Sequence, residues 1–75
     1  MNRLRDLREE NDMYQKDIAK ILNMSQTGYS AYETGENDIP TLILRKLADY
    51  YNTSIDYLLC RTDNRKPYSK SKIDN

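Results

Sequence analysis

The chain has 75 residues with 12 basic and 12 acidic side chains, so its formal net charge is zero. A chain of this length buries only roughly 60% of its unfolded surface, which restricts it to one small core. Its apolar runs are shorter than the roughly 18 residues that a membrane-spanning helix needs, and its first residues lack the apolar block of a signal peptide. We therefore expect a cytoplasmic domain without a membrane partner.

Helices are predicted along the first 60 residues. Gly and Pro occur only twice each, and no Asn-Gly or Asp-Gly pair indicates a β-hairpin. In chain order the predicted helices span residues 2–11, 15–22, 26–33, 40–51 and 55–60. Pro40 can preset φ for a first helical turn, and Ser54 can cap the last helix. The apolar residues at helical spacing form the predicted core: Leu4, Leu7, Met13, Ile18, Leu22, Met24, Tyr29, Leu44, Leu47, Ala48, Tyr51, Ile55 and Leu58.

The segment QKDIAKILNMSQTGYSAYE, residues 15–33, predicts two short helices joined by a tight turn. The small residue Ala19 lies on the apolar face of the first helix, where a methyl group lets two crossing helices approach closely. Asn23 tolerates the left-handed conformation with which a helix ends. Ser25 is a good N-cap for the second helix, because its hydroxyl can accept a hydrogen bond from a free amide. This arrangement is typical of a DNA-reading motif.

The same segment resembles the helix-turn-helix of the phage repressor and Cro family, also called the xenobiotic response element (XRE) type. The family motif often has Gln first, Ala fifth, Gly ninth and an aliphatic residue fifteenth, and these places hold Gln15, Ala19, Asn23 and Tyr29. The later segments YETGE and LADYYNTSIDYLL also resemble the family. The resemblance implies an all-α, compact five-helix bundle of the lambda-repressor-like type, with residues 1–60 as the DNA-binding domain.

The resemblance also implies which residues contact DNA. They lie at the start of the first motif helix and along the exposed side of the second: Gln15, Gln26, Thr27, Gly28, Ser30, Ala31 and Tyr32. Gln15 would donate to a phosphate from its amide or from the NH groups at the helix start. Gln26 can pair with adenine, and the Thr27 methyl group can meet a thymine methyl group.

Two of these residues have a structural alternative. Gly28 either permits close approach to DNA or only lowers helix stability by up to ~1 kcal/mol relative to Ala. Tyr32 either packs against the core or binds a phosphate with its hydroxyl. The family also ties its first helix to the end of the recognition helix with an ion pair, for which Arg8 and Glu33 stand at the matching places. We predict a structural role for Glu33, whereas Arg8 can serve both structure and binding.

The distribution of charge bears directly on DNA binding. Residues 1–60 carry seven basic and ten acidic side chains, whereas residues 61–75 carry five basic and two acidic ones. Since neutralising phosphates supplies most non-specific affinity, an acidic domain must concentrate its cations near the duplex. Lys16 and Lys20 share one helix face, which either binds phosphates or is simply solvated. We include Lys16 among the predicted DNA-binding residues. Residues 61–75 are predicted to form a flexible basic tail that either adds phosphate contacts or keeps the domain soluble.

A homodimer is the expected state. Helix-turn-helix proteins place two recognition helices about one turn of DNA apart, so their operators tend to be palindromic. The last predicted helix carries more apolar residues than one face can bury in a small core. We predict a dimer interface containing Ile55, Tyr57 and Leu59, although Tyr57 and Leu59 can instead pack on the fourth helix or on the tail.

Enzymatic function is disfavoured by the residues present. The sequence has no His, the one cysteine, Cys60, has no evident base, and there is no glycine-rich phosphate loop. No metal, cofactor or small-molecule ligand is indicated. The sequence predicts a transcriptional regulator, a repressor, that inserts residues 26–32 into the major groove of double-stranded DNA. The alternative is a protein-interaction module on the same fold, such as an antitoxin or antirepressor.

Overall fold

A computed structural model describes residues 1–68 of the chain. Five helices follow one another: α1 (Leu4–Glu10), α2 (Gln15–Ile21), α3 (Gln26–Thr34), α4 (Thr41–Tyr50) and α5 (Ile55–Leu58). No strand occurs within these described residues. The all-α, five-helix prediction is therefore confirmed, with helix ends that differ from the predicted ones by at most two residues.

The helix ends follow from the residues that the sequence analysis selected. Ser25 Oγ accepts a hydrogen bond from the backbone NH of Gly28 at 3.0 Å, so it caps α3. Ser54 Oγ accepts one from the NH of Tyr57 at 3.0 Å and caps α5. Asn23 adopts a φ of 57°, which places it in the left-handed region between α2 and α3. These three local predictions are confirmed.

Other helix ends were predicted less accurately. Pro40 has a φ of −59° and a ψ of 147°, so it lies just before α4 and the helix begins at Thr41. Gly35 ends α3 with a φ of 82°, which an L residue adopts only with strain. After α5, Cys60 takes a φ of 61° and ends the helix in the conformation that glycine adopts most easily.

The core lies where α3 packs against α1 and α2 and where α4 packs against α5. Its buried members come from all five helices and the turn after α2: Leu4, Leu7, Ile18, Ala19, Leu22, Tyr29, Leu44, Leu47, Ala48 and Leu58. The other predicted core residues, Met13, Met24, Tyr51 and Ile55, are partly buried and pack against this cluster. Spacing of apolar residues along each helix therefore predicted the core correctly.

Residues 61–68 lie against the folded domain. Arg3 forms an ion pair with Asp63 at 2.8 Å, and Arg65 forms one with Glu10 at 2.8 Å. Both pairs are partly exposed, so each contributes little to stability. Together they nevertheless direct this segment back across α1 and α5.

The prediction that residues 61–75 form a flexible tail stays untested, and residues 69–75 lie outside the described part of the chain. No helix within residues 1–68 is long and apolar enough to cross a membrane.

Candidate nucleic-acid interface

The contact between α2 and α3 has the geometry that the sequence motif predicted. Ala19 is only 2% exposed, and its carbonyl accepts a hydrogen bond from the backbone NH of Met24 at 2.9 Å. The chain then turns at Asn23 and enters α3 through the cap at Ser25. Because Ala19 is small, the two helices lie close together and present their polar sides on one surface.

A shallow groove lies on this surface between the start of α2, the exposed side of α3 and the turn that follows α3. We call it the α3 groove, and its lining residues are Gln15, Gln26, Thr27, Ser30, Ala31, Thr34 and Glu36. Five of them belong to the predicted DNA-contacting set, namely Gln15, Gln26, Thr27, Ser30 and Ala31. Tertiary structure therefore brings together residues of both motif helices. Amide and hydroxyl groups of this kind can donate to and accept from base edges.

Three predicted DNA-contacting residues lie outside the α3 groove lining. Lys16 is exposed, and its Nζ lies 5.6 Å from the centroid of the Tyr14 ring. Tyr32 is partly buried and packs against the core, as its structural alternative described. At Gly28 an added Cβ would lie 3.1 Å from both Met24 Cε and Ser25 Oγ, so a larger residue there would require these side chains to shift. DNA contact by any of the predicted residues stays a prediction.

A nearly buried ion pair lies behind the groove and confirms the predicted Arg8–Glu33 pair. Arg8 Nε lies 2.7 Å from Glu33 Oε2, and Arg8 Nη2 lies 3.1 Å from Oε1. The two side chains are 11% and 4% exposed. Arg8 Nη1 also donates to the carbonyl of Met13 at 2.8 Å. This fork of hydrogen bonds attaches α1 to the last turn of α3 and to the loop before α2.

Burial and hydrogen bonding act on the Glu33 carboxylate in opposite directions. Burial alone would raise the pKa of Glu33, but the hydrogen bond from Arg8, the neighbouring Tyr29 hydroxyl, the hydrogen bond from Gln15 and the charge of Arg8 together lower it below its usual value. Glu33 is therefore expected to stay ionised at neutral pH. The negative charge stays paired inside the domain and is not presented to a nucleic acid.

Gln15 connects the ion pair to the α3 groove. Its Nε2 donates to Glu33 Oε1 at 3.1 Å, while Gln15 also lines the groove. An amide nitrogen carries two hydrogens, so one is held by Glu33 and the other remains for a phosphate or a base. Sequence reasoning identified both residues but missed this contact, because they are 18 positions apart.

Two lining residues, Thr34 and Glu36, were not among the predicted DNA-contacting residues. The signal that could have indicated them is Gly35, whose left-handed conformation turns the chain at the end of α3. A residue on either side of such a turn stays near the helix surface. Once the direction of α3 is known, the turn at Gly35 therefore predicts that Thr34 and Glu36 lie beside the helix.

The residues of the predicted dimer interface make contacts within a single chain. Ile55 and Leu59 are partly buried and pack against the core. The Tyr57 ring has the Arg3 guanidinium 4.0 Å from its centroid and the Arg65 guanidinium 5.6 Å from it. Tyr57 therefore packs against the core, against Arg3 just before α1 and against Arg65 of the segment after α5. The dimer interface itself stays a prediction.

A sequence profile of the helix-turn-helix family matches residues 4–58 of the chain. The chain belongs to this family, in its XRE-type branch. This confirms both the resemblance that the sequence analysis described and the lambda-repressor-like helical fold.

Three curated relatives align with most of the chain. ImmR of Bacillus subtilis, an HTH-type transcriptional regulator, is 38% identical over 64 residues, which are 85% of this chain and 50% of that protein. YobD of the same organism, an uncharacterised HTH-type transcriptional regulator, is 31% identical over 93% of this chain and 62% of its own length. RstR of Vibrio cholerae, a transcriptional repressor of the cryptic phage CTXphi, is 33% identical over 96% of this chain and 66% of its own length.

The chain thus spans about half to two thirds of the length of these relatives. No solved structure matches with comparable significance.

Proposed function

We propose that this protein is a transcriptional repressor that binds duplex DNA sequence-specifically as a homodimer, with α3 in the major groove. The observation that carries the proposal is the α3 groove, which unites Gln15 of α2 with Gln26, Thr27 and Ser30 of α3. Helix-turn-helix proteins read base edges with the exposed start of the second motif helix and contact the backbone from the first. The names of the relatives ImmR and RstR, a regulator and a repressor, support the same function.

The chemistry of α3 is suited to base recognition. Gln26 and Thr27 form the exposed first turn of the helix, directly after the cap at Ser25. The Gln26 amide can donate and accept at once, which matches the N6 and N7 atoms of adenine, and the Thr27 methyl group can contact thymine. Ser30 lies one turn further along α3 and lines the same groove. These contacts distinguish bases but supply little non-specific affinity.

Neutralisation of phosphate charge must therefore come from cations beside the groove. Lys16 and Lys20 are exposed on α2 and stand four positions apart, on one side of that helix. With so few cations, one domain would bind weakly, and a second copy on the same operator would raise the affinity by making the second contact intramolecular. This reasoning supports a homodimer on a palindromic operator.

The test is selection of bound duplexes from a random pool at moderate salt, followed by sequencing. We expect a palindrome whose half-sites are about one helical turn, roughly 10 base pairs, apart. Selection of a single unpaired half-site would contradict the homodimer. Absence of any enrichment, from protein whose helical circular dichroism is intact, would contradict DNA reading altogether.

A second candidate, a protein-interaction module such as an antitoxin or antirepressor, is favoured by the charge of the same surface. The α3 groove lining contains no lysine or arginine among the described residues, and it includes the acidic residue Glu36. Salt distinguishes the two functions. Specific DNA binding weakens steeply as salt is added, whereas an apolar protein contact changes little.

A further inference from the structure

Among the described residues that line the α3 groove, Glu36 alone carries a charge. Its side chain is exposed and forms no ion pair with any residue of the described range 1–68. By contrast, Glu33, three residues earlier, is paired with Arg8 and buried. A bare carboxylate on a surface that meets a polyanion needs a physical explanation, because like charges repel.

The position of Glu36 is set by the end of α3. Gly35 turns the chain with a φ of 82°, and the backbone NH of Glu36 then donates to Thr34 Oγ1 at 3.3 Å. The next NH, of Asn37, donates to the carbonyl of Ala31 at 3.1 Å. These bonds attach the turn to the last turn of α3, so the backbone of Glu36 keeps a constant relation to the helix that would enter the major groove.

A carboxylate can only accept hydrogen bonds, so the bases that it tolerates are limited. On the major-groove edge, guanine presents two acceptors and thymine presents one, and these would repel it. Adenine offers its N6 amine, but the N7 acceptor lies beside that amine. Cytosine offers its N4 amine and carries no acceptor on its own major-groove edge, which makes it the best partner.

We propose that Glu36 is a specificity-determining residue that accepts a hydrogen bond from the N4 amine of a cytosine in each half-site. This inference rests on the proposed function, since it requires α3 to lie in the major groove. The carboxylate repels phosphates and so lowers the affinity for every duplex. The affinity is restored only where a cytosine amine lies opposite the carboxylate. Discrimination therefore comes as much from rejecting other bases as from binding cytosine.

The experiment compares the wild type with Glu36→Gln and with the control Asp38→Asn by selection from a random duplex pool. Asp38 is exposed, lies two residues further on and does not line the groove, so its variant removes the same charge without the proposed contact. We expect the wild type to select cytosine at a fixed position of each half-site. Glu36→Gln should lower the cytosine-to-thymine ratio there by roughly fivefold or more and shift the preference towards adenine, which Gln can pair with. Asp38→Asn should leave this ratio unchanged.

Two outcomes would overturn the inference, and only one of them would also overturn the proposed function. If both variants tighten binding to all duplexes equally and base preferences stay the same, the carboxylate only repels phosphates, while the proposed function stands. If the folded wild type selects no sequence, the inference and the proposed function both fail. Circular dichroism and thermal unfolding of each variant test whether the domain is folded. We expect both variants to be folded, because substitutions at exposed positions such as Glu36 change stability little.

Discussion

Gln15 Nε2 lies 3.1 Å from Glu33 Oε1, so the amide that is predicted to contact DNA is hydrogen-bonded to the ion pair that orients the helices. The same Oε1 accepts from Arg8 Nη2 at 3.1 Å. Through Glu33, the first helix, the start of the second and the end of the third share one carboxylate. A change at this carboxylate should therefore affect both the fold and the position of the Gln15 amide.

Replacing Glu33 by Gln should destabilise the domain strongly. The substitution leaves the Arg8 guanidinium nearly buried without its counter-charge, and breaking a pair of this kind costs about 3 to 5 kcal/mol. Urea unfolding followed by circular dichroism measures the loss. Glu9→Gln is the matched control, because Glu9 pairs with Arg5 at an exposed site and should cost no more than about 0.5 kcal/mol. Equal losses in the two variants would contradict the structural role of Glu33.

Acid should weaken the fold through the same carboxylate. The folded state lowers the pKa of Glu33, so above the unfolded-state pKa of about 4.3 both states are ionised and the stabilisation is fully present. As the pH falls below this value, the unfolded state takes up a proton first, and the stabilisation is lost as the pH falls through the lower folded-state pKa. The free energy of unfolding of the wild type, measured between pH 6 and pH 2, should therefore fall more steeply than that of Glu33→Gln. Parallel curves would show that Glu33 is not the group responsible.

Replacing Tyr29 by Phe should stabilise the domain by about 1 kcal/mol. The Tyr29 ring is fully buried, and its hydroxyl lies close to Glu33 without a hydrogen bond of good geometry to any residue in the described range. Burial has the largest effect on the pKa of this phenol and the neighbouring Glu33 the next largest, and both raise the pKa. The hydroxyl therefore stays protonated and polar in the core. Urea unfolding of Tyr29→Phe, with Tyr14→Phe at an exposed tyrosine as control, measures the effect. A loss of stability would instead show that the hydroxyl bonds to Glu33.

Replacing Gln26 by Ala should relax base preference at one position of each half-site. Removal of a bidentate amide contact costs about 1 to 3 kcal/mol against the preferred base and leaves other positions unchanged. Lys16→Ala provides the contrast, since loss of a phosphate contact should weaken all duplexes alike and reduce the salt dependence. Binding of single-base operator variants, measured by fluorescence anisotropy at several salt concentrations, separates the two effects. An unchanged base profile in Gln26→Ala would remove Gln26 from the reading residues.

Features that depend on near neighbours along the chain could be predicted from the amino-acid sequence. The left-handed turn at Asn23 and the caps at Ser25 and Ser54 follow from side chains that interact within three or four positions. Helical spacing likewise predicted which side chains form the core. The Arg8–Glu33 pair joins residues 25 positions apart, and it was predicted only because the chain resembles a known family.

Contacts between residues that are distant along the chain could be read only from the folded domain. The bond from Gln15 to Glu33 and the packing of Arg3 and Arg65 on Tyr57 have no local sequence signal. Each depends on the angle at which one helix or turn meets another, which is set by the packing of the whole core. For this reason the sequence indicated α3 as the reading helix, while the fold determined which side chains share its groove.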